Sequence, residues 1–235
     1  MTKKIKVNGT IISDNLQRIY DWIGLEATSP SKVIGALPID GKDVEISINS
    51  GGGDVFAGSE IFTALKEYSG NVTVKIVGIA ASAASVIAMA GDKVLISPTA
   101  QMMIHNVSTA AGGDYRTFEH TAEVLKSANQ SIANAYKQRT NKSDDELKSL
   151  MDAETWFNAQ SAVEQGFADE IMFEDSKQEN TLVANGGSVM LNEEVINKIL
   201  EMMDQDKPSS ASTVEGNDQL QARLKLLKLG GIHNG

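Results

Sequence analysis

The sequence predicts an α/β fold in which strand–helix units repeat around a mainly parallel sheet. Three observations lead there. Short apolar, β-branched runs recur at residues 44–48, 72–77, 94–96 and 102–105. The first two are each followed by glycine and then by a segment with helical spacing. The hydrophobic fraction of 41% supplies enough side chain for a real core. Strands alternating with helices at this spacing are the signature of βαβ units.

The elements follow in order. Residues 5–12 read as a strand, with Gly9 a turn or bulge. Leu16, Ile19, Tyr20 and Ile23 recur at helical spacing. Pro30-Ser31 ahead of residues 32–37 suits a short helix with proline near its start. The alternating strand at 44–48 runs into Asn49-Ser50-Gly51-Gly52-Gly53-Asp54, read as a loop. Gly58, Ile61, Phe62 and Leu65 then share one helix face. The pattern repeats: a strand at 72–77, a turn at Gly78, and a helix of small residues over 80–90.

Two further short strands, 94–96 and 102–105, precede a long helix. Its apolar stripe is Tyr115, Phe118, Ala122, Leu125, Ala128, Ile132 and Tyr136. Ser143-Asp144-Asp145-Glu146 is a capping box for a helix through Met151. Beyond residue 175 the composition turns polar. Asn192 can cap a helix carrying Val195, Ile196, Ile199, Leu200 and Met203. Residues 204–216 form a Pro/Ser-rich linker, and Leu220, Leu224 and Leu227 mark a last basic helix. The expected division is a main domain at 1–175 and a flexible linker with a helical C-terminal tail at 176–235.

Charge and composition exclude several functions. A net charge of −10 repels phosphate backbones and anionic membranes, and no basic patch offsets it. No run approaches a membrane span and the first residues hold no apolar segment of signal-peptide length, so a soluble cytoplasmic protein is expected. The absence of cysteine removes disulfides and thiolate chemistry. Three histidines, His105, His120 and His233, are too few for a metal site built on imidazoles, so no metal is expected. No GxxxxGK[ST] or GxGxxG accompanies the glycine run, which argues against nucleotide binding.

The chemistry concentrates between residues 49 and 105. In Gly78-Ile79-Ala80-Ala81-Ser82-Ala83-Ala84-Ser85, a hydroxyl stands at the first turn of a helix that follows a buried strand. There it meets unpaired N–H groups, and the small flanking residues let a substrate backbone approach. The plainer alternative is a tightly packed helix in which Ser82 or Ser85 caps or back-bonds. His105 ends a strand 23 residues after Ser82, the length of a helix, a turn and a return strand. It could serve as general base, or equally sit as a backbone-bonded core histidine. His120 suits a surface or packing role, and His233 falls in the tail. Gly51-Gly52-Gly53 could aim N–H groups at an oxyanion.

Four motifs occur in a meaningful order. They are Ile48-Asn49-Ser50-Gly51-Gly52-Gly53 with Gly58, then Gly78-x-Ala80-Ala81-Ser82, then Met103-Ile104-His105, then Ala162-Val163-Glu164-x-Gly166-x-x-Asp169. Over residues 44–172 the chain resembles the Clp protease proteolytic subunit. The resemblance implies a Clp/crotonase-like fold of repeated βαβ units with a protruding handle helix, here residues 106–113 and the long helix after them. It implies Ser82 as nucleophile, His105 as base, and the N–H groups of Gly53 and Ala83 as oxyanion hole. It places Glu154 as third triad member, with Asp152 the alternative; both would otherwise be a solvated acidic helix end. It implies no cofactor, a polypeptide substrate, a homo-oligomeric ring (a heptamer or stacked rings) and an ATPase unfoldase as possible partner.

Some features depart from that pattern. The N-terminal region lacks the family's axial-loop character, Gly51 replaces a usual proline, and residues 176–235 are an addition. These resemble the Clp-related proteases of phage head assembly, which process capsid or scaffold proteins. A phage-type prohead protease acting in the host cytoplasm is therefore the leading expectation. The alternatives are a housekeeping ATP-dependent Clp proteolytic subunit, a catalytically silent assembly protein, and a crotonase-like acyl-CoA enzyme.

Overall fold

In the computed structural model, which describes residues 2–174, alternation of buried and open positions organises the sheet. Strand β3 (Val44–Gly53) buries every second residue, Val44, Ile46, Ile48, Ser50 and Gly52. Strand β4 (Val72–Ala81) does the same with Val72, Val74 and Ile76. These central strands pair in parallel, Val44 opposite Val72 through Ile48 opposite Ile76. On one side, β1 (Lys3–Ile11) pairs with β3 and then with β2 (Ala27–Thr28). On the other, β4 pairs with β5 (Lys93–Ile96), which pairs with β8 (Glu170–Ile171). The helices between these strands are α1 (Asp14–Ile23), α2 (Pro30–Ile34), α3 (Val55–Glu67) and α4 (Ala83–Ala88). The expected mainly parallel α/β architecture is present.

One branching of this sheet positions the site. The first half of β4 pairs with β5, but its end, Ile79 to Ala81, pairs in parallel with β6 (Gln101–Ile104). Strand β6 also pairs with β7 (Thr155–Asn158), the antiparallel contact of the sheet. The chain therefore leaves β4 at Ser82 and β6 at His105 from neighbouring strands at the same carboxyl end. After β6 come α5 (Tyr115–Thr140) and α6 (Asp144–Asp152); α7 (Ala159–Glu164) follows β7. The capping box is formed: Ser143 accepts from the Glu146 N–H, and Glu146 accepts from the Ser143 N–H.

Several expectations are corrected. Residues 49–53 are not a loop, because β3 continues through all three glycines and Gly53 pairs with Ile11. Gly78 is not a turn but lies within β4, with the Asn49 side chain where a Cβ would stand, 2.4 Å away. The small-residue helix is only Ala83–Ala88, since residues 80 and 81 are still strand. On α5, only Ile132 and Tyr136 of the apolar stripe are buried, while Tyr115 and Phe118 are exposed. No residue of α1 is buried either, although its apolar spacing made a helix. In both cases periodicity reported an amphipathic helix without reporting what covers it. Gly9 is a bulge as expected, at φ 68° where the register slips between Asn8 and Thr10. The helices expected in residues 176–235 lie outside the described residues.

Candidate active site

Ser82 has φ 54° and ψ −126°, a conformation unfavourable for a residue with a Cβ. Such strain costs about 1–3 kcal/mol and persists only when the surroundings hold it. Here the Ser82 N–H donates to the Met103 carbonyl at 3.0 Å, and its carbonyl accepts from the N–H groups of Ser85 at 2.9 Å and Val86 at 3.3 Å. Although Ser82 occupies the N-cap of α4, its side chain makes no capping bond. The hydroxyl instead meets the His105 Nε2 at 2.9 Å. Ser82 and His105 are each partly exposed, on a floor of buried Ala83, Met103 and Ile104.

Small residues make the close approach possible. A Cβ on Gly52, at φ 96°, would stand 2.7 Å from both the Ala81 carbonyl and the Ser82 Cβ. Only glycine lets the end of β3 lie against the serine turn. Gly58 of α3 does the same one layer out, where an added Cβ would be 3.0 Å from the Ala83 Cβ. Gly53, Ser82, Ala83 and His105 line a single cavity of about 240 Å³ whose other walls include Val55, Val86, Met103 and Ile132. A polar end and an apolar pocket thus share one opening. Such a space can take one carbonyl and the side chain beside it.

The two candidate acids are placed differently. Glu154 follows α6 in a left-handed conformation, φ 48°, and accepts weakly from the Trp156 indole N–H at 3.4 Å. The Asp152 carboxylate accepts from the Asn106 amide at 2.7 Å, next door to His105. Among the described residues, Ser82 is the hydrogen-bond partner of the His105 ring, and neither acid contacts it in that way. The neighbouring backbone is pinned separately, as the Val107 N–H donates to the Asn129 side chain of α5 at 2.7 Å. His120 is exposed on α5, and His233 lies outside the described residues. Among the described residues no cluster of three or more His, Asp or Glu side chains could hold a metal ion.

The serine–histidine contact at a glycine-flanked strand end can be set beside known proteins. The model of the Clp protease family matches residues 36–175, more than half of the sequence. The chain belongs to the Clp protease family. An ATP-dependent Clp protease proteolytic subunit of Bacteroides fragilis is 34% identical over 134 residues, covering 56% of this chain and 65% of that protein. The proteolytic subunit 1 of Chlamydia muridarum is 32% identical over 154 residues, 63% of this chain and 74% of the relative. That of Leifsonia xyli is 28% identical over 175 residues, 71% and 86% of the two chains. The chain spans less than two thirds of the length of the Bacteroides fragilis relatives, 65% and 61%.

Sequence reasoning overlooked three parts of this site. The Asn106–Asp152 and Val107–Asn129 bonds join segments far apart in the chain, and only the fold reveals them. Ser85 drew attention as a back-bonding residue, and it does bond back, donating to the Ser82 carbonyl at 2.6 Å. Its second partner, the Tyr136 hydroxyl at 2.8 Å, carried no sequence signal beyond an apolar stripe.

Proposed function

We propose that this protein is a serine endopeptidase of the Clp type, with Ser82 as nucleophile and His105 as general base. The observation that carries the reading is the 2.9 Å contact between the Ser82 hydroxyl and His105 Nε2 at a strained turn beside a cavity. In the proposed cycle His105 Nε2 takes the Ser82 proton as the oxygen attacks a peptide carbonyl. The N–H groups of Gly53 and Ala83 receive the developing oxyanion. The protonated imidazole then gives its proton to the leaving amine, and water repeats the sequence on the acyl-enzyme. Glu154 is the proposed group that orients His105, with Asp152 the alternative; either would turn toward Nδ1 from its present partner.

The names of the relatives favour the housekeeping role over the prohead role that led the sequence reading. The substrate would be a polypeptide, the working form a homo-oligomeric ring, and an ATPase unfoldase the partner that feeds it. The prohead reading rests on the N-terminal region without axial-loop character, on Gly51 and on the added residues 176–235. Cleavage of co-expressed capsid or scaffold protein without an added ATPase would favour it. Stimulation of protein degradation by an ATPase would favour the housekeeping role.

The decisive experiment is labelling with a fluorophosphonate, read by intact and peptide mass spectrometry across oligomeric states. One adduct on Ser82 is expected, absent in Ser82→Ala and slowed by orders of magnitude in His105→Ala. Of Glu154→Gln and Asp152→Asn, the one that slows labelling more identifies the third member. A wild-type protein that stays unlabelled in every assembly state would sink the peptidase reading in favour of a silent assembly component.

A further inference from the structure

We propose that Tyr136, acting through Ser85, is a positioning residue that aims the Ala83 N–H into the site cavity. This inference rests on the peptidase reading above. Ser85 Oγ donates its proton to the Ser82 carbonyl at 2.6 Å. The hydroxyl has one proton, so at its 2.8 Å contact with Tyr136 it accepts, and the phenol donates. The chain therefore runs one way: Tyr136 O–H to Ser85 Oγ–H to the Ser82 carbonyl. Donating to an acceptor polarises each hydroxyl and strengthens the next bond.

That carbonyl belongs to the same planar peptide unit as the Ala83 N–H. In a trans peptide the C=O and N–H point in opposite directions, so holding one sets the other. Three donors hold it: the N–H groups of Ser85 and Val86 and the Ser85 hydroxyl. Gripped toward α4 on one side, the peptide turns the Ala83 N–H the other way, and Ala83 lines the cavity beside Ser82 and His105. An oxyanion donor gains its effect from being fixed before reaction, and the strained φ of 54° at Ser82 needs such a hold.

Packing alone does not explain the pair. Tyr136 is fully buried, its ring edge-on to Phe167 at 5.9 Å between centroids, and phenylalanine would fill that place equally. Ser85 is also fully buried. Two buried hydroxyls cost desolvation that two apolar groups would avoid, and among the described residues what they gain is each other and the Ser82 carbonyl. Burial raises the Tyr136 pKa far above that of an ordinary phenol, which keeps it a neutral donor. Tyr136 also stands in the buried end of α5, whose first turns are exposed, so it links that long helix to the serine turn.

The test compares wild type with Tyr136→Phe, Ser85→Ala and the double variant, using a fluorogenic peptide and a peptide boronate that mimics the tetrahedral adduct. Each single variant is expected to lower kcat about 3- to 10-fold with KM unchanged, and to weaken boronate binding by the same factor. The double variant should match the singles, because the two hydroxyls act as one chain. Unchanged kcat and boronate affinity with a lowered Tm would reduce the pair to a packing role and overturn the proposal. Additive losses would also overturn it. Should Tyr136→Phe not fold, Ser85→Ala alone carries the same expectation. A wild-type protein that neither cleaves peptide nor accepts fluorophosphonate would end the peptidase reading and this role together. An active wild type with unaffected variants would end this role alone.

Discussion

The chain makes the same local structure twice and uses it differently. At the first, β3 ends in glycines and Asp54 opens α3; at the second, β4 ends in alanines and Ser82 opens α4. Asp54 has an ordinary extended N-cap backbone, φ −64° and ψ 119°, and its carboxylate accepts from the N–H groups of Phe56 and Ala57. Ser82 has the same position but a strained backbone and no capping bond, and its hydroxyl points to His105 instead. The first unit devotes its polar side chain to the helix. The second withholds it, leaving the helix end to small residues and to backbone and Ser85 bonds. A cap that is not capping sets Ser82 apart from Asp54 more sharply than the serine–alanine motif itself does, and it is what the proposed nucleophile requires.

Substitutions separate the two units. The largest effect belongs to the contact between the two units. Gly52→Ala should cost about 3 kcal/mol from a clash with the Ala81 carbonyl and an unfavourable positive φ, and should abolish Ser82 labelling. Denaturant unfolding and fluorophosphonate labelling would check it, and a stable, fully labelled variant would refute the close-approach argument. Next, Asp54→Ala should lose about 1 kcal/mol of stability, as for other N-caps. Ser82→Gly should do the opposite, gaining about 1 kcal/mol by relieving the strained turn while losing all labelling. Equal destabilisation by the two changes would erase the distinction between a working cap and a withheld one.

The smallest effect concerns the strands that carry the two units. Lys75 of β4 donates to Glu45 of β3 at 2.7 Å, and this bond, with Lys4 adding less, lowers the Glu45 pKa from its ordinary value. A depressed folded-state pKa contributes stability above the unfolded pKa that is lost as pH falls through the folded one. Both side chains are partly open to solvent, so the contribution is below about 0.5 kcal/mol. Glu45→Gln should accordingly unfold like wild type at low pH and slightly more easily at neutral pH, measured by Tm.

Much of the frame was legible in the residues. Val44-Glu45-Ile46-Ser47-Ile48 announces a half-buried strand through its period of two, and Ser143 with Glu146 announces a helix start. Ser82 and His105 were also legible as a pair, through their placement at strand ends and through the resemblance. The acid proposed to orient His105 was not. Glu154 and Asp152 sit two apart at a helix end, and their present partners, Trp156 and Asn106, follow from how α6 turns into β7 and how β6 lies beside it. Glycine at 51–53 misled as a loop signal, because here Gly52 serves close packing against the Ser82 turn and Gly53 against the Ile11 backbone of β1.

Residue pattern marked the strands at 44–48 and 72–77, the helix opened by Ser143, the strand–helix alternation, and the hydroxyl and imidazole that could meet, but not the strand through 49–53, the place of Gly78 or strand β7. The strands and helices depend on local preference and on side chains within a few residues of each other, whereas Ser82 and His105, 23 residues apart, were legible through their strand ends and the resemblance. Tertiary structure alone decided that β4 switches partners from β5 to β6, that α1 and the first turns of α5 leave their apolar faces open, and that Tyr136 reaches Ser85. The strand switch and the Ser85–Tyr136 bond, with a separation of 51, join residues distant in the chain, and a local pattern carries no information about which distant surface, if any, a face will meet. The conformation of Ser82 belongs with them, because a strained turn exists only where the packed surroundings hold it in place.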